Sequence, residues 1–189
     1  MEFRIEKHEA IRVMGVSAPL DKDIEKAFEG AEALWLKVLF EGAPQDAEGN
    51  PLETGPLCDE LNAAVNCKYP DGSTTKYNGF FGIETEHDNG GDYIIAVASP
   101  MPESGNLTEC VIPAHTWAIF KGNNFFAEEY NNAESATNLE ERLYSEWLPT
   151  SGYEIADNIN VHFILPTTDL ENVPFEIWLP VKKADMAIG

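Results

Sequence analysis

Four tryptophans stand out as side chains that could do chemistry. Trp35 and Trp147 lie within segments of helical periodicity, and Trp117 and Trp178 lie within strand-like runs. Indole faces stack on flat molecules and attract cations, so aromatic walls suit flat or cationic organic ligands. Phe81, Tyr93 and Tyr144 are secondary candidates for the same wall. Charge would come from Glu84, and acid–base capacity from His162, whose ring titrates near neutrality when unperturbed. His162 and Glu84 are thus the candidates for a catalytic role. The run Glu84-Thr85-Glu86-His87-Asp88 has the look of a metal-ligand cluster. Neighbouring side chains on a strand point to opposite faces, however, so only Glu84 and Glu86 share one, and no metal site is expected. Gly105 and Gly122 fit neither a nucleophile elbow nor a phosphate loop. No cofactor is implied.

Composition narrows the partners. Twelve Lys and Arg face 33 Asp and Glu, a net charge of −21 over 189 residues. That balance opposes phosphate backbones and anionic membranes alike. It fits a basic protein partner better than a nucleic acid. Hydrophobic residues make up 43%, enough to build a core. Cys58, Cys67 and Cys110 are odd in number and lack metal spacing, which fits reduced thiols and a cytoplasmic location. The start of the chain is charged from Glu2 and carries no signal-peptide pattern.

The elements that must position these residues follow from periodicity. Residues 3–17 read as a long strand with a break. Asp21 reads as an N-cap with Asp23 in the first helical turn. Ile24, Phe28, Ala31, Trp35, Val38 and Leu39 then recur at helical spacing as an inward face, until Gly42 and Pro44 stop the helix. Residues 43–78 form an irregular insertion in which Leu57, Leu61, Ala64 and Val65 could make a short helix. Residues 79–84 and 93–99 read as a hairpin about the turn-like stretch from His87 to Asp92. The order then repeats. Residues 107–121 form a second strand broken near Pro113. Thr137 to Glu140 fits a capping box, with Leu139, Leu143, Tyr144, Trp147 and Leu148 facing inward. Residues 160–165 and 175–181 are the last strands. The expected fold class is α+β: two βαββ units forming one antiparallel sheet, with two long helices on one face and a ligand groove between them. The chain reads as a single domain, 1–189, with halves at about 1–100 and 105–185.

Three stretches of the second half carry a family resemblance. They are Ile112-Pro113-Ala114-His115-Thr116-Trp117-Ala118-Ile119-Phe120, then Leu143-Tyr144-Ser145-Glu146-Trp147-Leu148-Pro149 with Ser151-Gly152-Tyr153-Glu154, then Phe175-Glu176-Ile177-Trp178-Leu179-Pro180-Val181-Lys182-Lys183. Together these resemble the GyrI-like small-molecule-binding domain, the effector-binding domain of AraC-type and related multidrug-sensing regulators. The resemblance implies the fold described above and a small organic ligand in the groove. It also implies a pocket Glu, followed two residues later by Tyr, on the strand after the second helix. His162 and Ile164 stand at those two positions, so the family's central anion is missing there and Glu84 is the nearest substitute. Binding of a small, largely apolar or aromatic molecule, cationic or neutral, is therefore expected, for sequestration or transcription-related regulation. The alternative is hydrolysis of small electrophilic compounds in the same groove, with His162 as general base.

Overall fold

The computed structural model describes residues 1–87, 90–103, 105–126, 136–169 and 172–184. In chain order the elements are β1 (Phe3–His8), β2 (Ile11–Leu20), α1 (Ile24–Phe40), α2 (Pro56–Val65), β3 (Phe80–His87), β4 (Gly90–Ala98), β5 (Thr108–Ile112) and β6 (His115–Gly122). There follow α3 (Ala136–Arg142), a π-helical stretch (Leu143–Trp147) and α4 (Leu148–Ser151) in one rod, then β7 (Tyr153–Ile155), β8 (Ile159–Ile164) and β9 (Phe175–Lys183). The class is α+β, and every strand pairing described below is antiparallel.

The chain forms two compact units. One is Ile11–Ile112, the middle unit. The other joins Met1–Ala10 to Pro113–Gly189 and is called the terminal unit. The middle unit orders its strands β3-β4-β2-β5, with α1 and α2 packed against β2 and β4. The terminal unit orders them β1-β6-β9-β8, with β7 also on β9 and α3 against β9. The βαββ repeat is therefore present twice, as β2-α1-β3-β4 and as β6-rod-β8-β9. Each unit completes its sheet with a strand from the other half of the sequence: β5 beside β2, and β1 beside β6. The units accordingly differ from the halves expected at 1–100 and 105–185. The two broken strands of the sequence reading are β1–β2 and β5–β6, and each break is where the chain passes between units.

Local chemistry explains the element ends. Asp23, rather than Asp21, caps α1, accepting from the amides of Glu25 and Lys26. Asp21 instead accepts from the Asp23 amide at 2.9 Å. Gly42, at φ 76°, turns the chain out of the helix. Leu34, Trp35 and Val38 form the buried arc of α1, whereas Phe28 is 53% exposed. The inward face is thus rotated away from the expected Phe28 line. The short helix expected within 43–78 is α2, with Pro56 in its first turn and Cys58, Leu61, Ala64 and Val65 buried.

In the rod, Leu148 N–H bonds back to the Leu143 carbonyl, the wide π spacing. Pro149 explains it: the ring has no N–H and would strike the carbonyl one α-turn back. The Thr150 hydroxyl donates to the Glu146 and Trp147 carbonyls nearby. Leu139 and Leu143, four residues apart, are buried, while Tyr144, expected inward, lies about a quarter-turn further round and is 44% exposed. The Thr137 side chain of the expected capping box lies outside the described residues, as do Asp88 and Asn89 of the first hairpin turn.

Candidate functional site

In the middle unit, strand register decides which candidates meet. Glu84 on β3 pairs with Tyr93 on β4. Antiparallel partners share a face, so the carboxylate and the phenol stand side by side. From above, α1 brings Trp35, whose indole Nε1 donates to Tyr93 Oη at 2.9 Å. Trp35 and Tyr93 are buried, and Glu84 is half-buried. Phe80, two residues before Gly82 on the Glu84 face, adds a ring 6.3 Å from Trp35. Phe81 pairs with Ala96 and so faces the other way, against Tyr77 at 5.9 Å. The sequence reading selected Phe81 where the alternation of the strand presents Phe80. Of the possible metal cluster, the Glu86 and His87 side chains and Asp88 lie outside the described residues. Among the described residues no group of three metal-ligating side chains occurs.

In the terminal unit the candidates divide between the two faces of the sheet. Trp117 lies two residues from Ile119, the partner of Trp178, so the two indoles share a face, with ring centres 6.0 Å apart. That face also carries Glu176, which pairs with Phe163. Glu176 is almost fully buried and fully engaged. Arg4 Nη1 and Nη2 donate to its two oxygens at 2.8 and 3.2 Å, and Trp178 Nε1 donates at 2.9 Å. The hydrogen bond to Glu176 holds the Arg4 guanidinium above its ordinary pKa, against the opposing effect of burial. His8 sits 4.9 Å from Trp178 and bonds to Glu6, which it holds below the usual carboxylate range. The Glu176 carboxylate therefore serves the internal network, with both oxygens bonded within the unit.

His162 pairs with Ile177, as does Phe120, so it lies on the opposite face, toward the rod. Trp147 packs on that same side, with ring centres 4.9 Å from Phe120 and 5.3 Å from Phe3. Glu140 of α3 places Oε2 3.7 Å from His162 Nε2. That is too long for a hydrogen bond, and the Asn160 amide takes the other Glu140 oxygen. Burial alone pushes the His162 pKa down to about 4, so the ring is neutral at pH 7. His162 Nε2 and Asn160 Oδ1 are buried and have no hydrogen-bond partner among the described residues.

Sequence reasoning thus missed Phe80, Glu140, Glu176 and Arg4. Glu176 was the most accessible of these, since it lies two residues from Trp178 on a strand. Glu140 read as a helix cap, and nothing in its spacing announced a reach to β8.

The sequence profile of Cass2, described as integron-associated effector binding protein, matches residues 4–181. The chain belongs to this effector-binding family. It is GyrI-like, as the three C-terminal stretches implied, and its function is that of a small-molecule-binding domain. Solved structures carry the same fold at low identity. A bacterial transcription-regulation protein from Staphylococcus aureus is 14% identical with a TM-score of 0.67, over 96% of this chain and 99% of that one. SAV2435, solved bound to tetraphenylphosphonium, is 15% identical with a TM-score of 0.68, over 96% of this chain and 94% of its own. EcmrR in a DNA complex is 14% identical with a TM-score of 0.54, over 97% of this chain but 58% of EcmrR. No protein of curated function is recognisably similar in sequence.

Proposed function

We propose that this effector-binding domain captures aromatic organic cations at Trp35, Tyr93 and Glu84. One observation carries the reading: a half-buried carboxylate and a phenol share a face of the sheet, and the phenol is fixed by an indole N–H. A cation seated there meets a ring wall and a negative charge inside a partly desolvated surface, where Coulomb attraction strengthens. The ligand of SAV2435 is such a cation. The walls recognise shape and charge rather than a pattern of hydrogen bonds, which suits several unrelated cations. The role we propose is regulatory sequestration in the cytoplasm, in keeping with three unbridged cysteines. Among the described residues no helix is long and apolar enough to cross a membrane.

Hydrolysis is the weaker reading. Its base would be His162, but Nε2 is buried and a pKa of about 4 makes the ring a poor proton acceptor at neutral pH.

The test is calorimetric titration with tetraphenylphosphonium and with neutral triphenylphosphine oxide. Glu84→Gln should weaken the cation about tenfold and leave the neutral compound unchanged, since about 1.4 kcal/mol of charge attraction is removed. Trp35→Phe and Tyr93→Phe should weaken both. Unchanged cation affinity in all three variants would place the ligand elsewhere.

A further inference from the structure

The outward surface of α1 carries an arrangement that the ligand site does not use. Phe28 and Leu36 are 53% and 54% exposed. Between and beside them stand Glu25, Glu29 and Glu32, all exposed. The spacing from 25 through 28, 29 and 32 to 36 keeps these five residues on one helical face, since residues three and four apart are neighbours. Lys26 and Lys37, the helix's two cations, fall together on its flank and leave the five-residue face without positive charge. Trp35 turns to the other flank, into the contact with Tyr93.

This face breaks two local rules. Large apolar groups are left in water, and Glu29 lies at i+4 from Glu25 and at i−3 from Glu32, where like charges repel. Neither feature helps the isolated helix. Both are relieved by a partner that brings apolar side chains flanked by cations.

We propose that this face of α1 is a docking surface for a basic amphipathic helix of a partner protein. Charge selects the occupant. The chain carries −21, so a second copy would bring like charge against like, and an anionic bilayer would be repelled. A Lys- and Arg-rich helix laid on this face covers Phe28 and Leu36 with its apolar stripe, and its long flanking cations reach the carboxylates between and beside them.

The probe is a synthetic helix of roughly five turns with Leu on one face and Lys on the other, read by fluorescence anisotropy against the full chain. A Leu/Glu helix is the control of opposite charge. The Lys helix should bind and the Glu helix should not. Phe28→Ser with Leu36→Ser should weaken binding about tenfold, as for buried interface anchors. Glu25→Gln, Glu29→Gln and Glu32→Gln together should do the same and flatten the salt dependence. The matched triple Glu9→Gln, Glu48→Gln and Glu53→Gln, at exposed positions elsewhere, should change affinity less than about twofold. Circular dichroism checks that each variant is folded. Three results would each overturn the proposal. The matched triple could weaken the peptide as much as the α1 triple, the mark of a diffuse polyanion. The chain could dimerise through the face and lose the dimer with Phe28→Ser and Leu36→Ser. Phe28→Ser could lower tetraphenylphosphonium affinity without changing peptide affinity, making the ring a ligand wall.

Discussion

A neutral histidine buried beside a carboxylate is the least expected residue of this molecule. His162 stands where the family resemblance led a pocket Glu to be expected, and Glu140 of α3 brings a carboxylate oxygen to 3.7 Å from its ring. The consequence for stability has a definite sign. The folded ring titrates at about 4, the unfolded one near 6.5, so the unfolded chain binds more protons between those values. The contribution is complete above pH 6.5 and is lost as pH falls toward 4. Wild type should therefore lose about 2 kcal/mol relative to His162→Gln between pH 7 and pH 4.5. Denaturant unfolding of both proteins at the two pH values measures this, and an unchanged gap would show that the ring is hydrated. The same burial moves any effect of His162 on cation binding below pH 5. Trp35, Tyr93 and Glu84 were singled out from sequence and are neighbours in the middle unit; that they form the ligand site is the proposal made above. What sequence could not supply was phase on β3, where the choice between Phe80 and Phe81 depends on a register set by tertiary pairing.

At the scale of elements, helices and strands were read well where a single period governs, and less well where something interrupts it. The capping of α1 slipped by two residues because Asp21 and Asp23 are both good caps and only the first turn's geometry chooses. Tyr144 faces outward because it directly follows Leu143, and one helical step carries it off the buried Leu139–Leu143 line. Two glycines show how context decides the effect of one methyl group. In β2, between β4 and β5, a Cβ at Gly15 would overlap the Ile95 carbonyl oxygen and come within 2.6 Å of Ala96 Cβ. Gly15→Ala should cost about 3 kcal/mol, the range of core overpacking. At Gly30, within α1, a built Cβ meets nothing within 4 Å. Gly30→Ala should stabilise by about 1 kcal/mol, the helix-propensity difference. Thermal melts of the two variants should move in opposite directions. Equal shifts would mean that the packing around β2 is looser than described.

At the scale of the whole molecule, the duplicated βαββ order was visible but the division of the chain was not. Hydrophobic alternation marks β1 and β5 as strands without saying which partner each takes. The structure sends β1 to β6 and β5 to β2. Fragments 1–104 and 105–189 therefore each lack a strand of the sheet they are meant to form. Expressed alone, neither should give a cooperative melt. Mixed, they should recover strand signal by circular dichroism and a single transition. Independent cooperative melts would show the borrowed strands to be dispensable. The exchange also bears on heredity. A recombination event that replaced the second half of the gene would change three principal strands of the terminal unit and one of the middle unit at a stroke. Neither half can then drift in sequence alone, because a substitution on β1 is judged by β6 and one on β5 by β2. A duplication that began as two interchangeable copies would by this route have become one indivisible unit of selection.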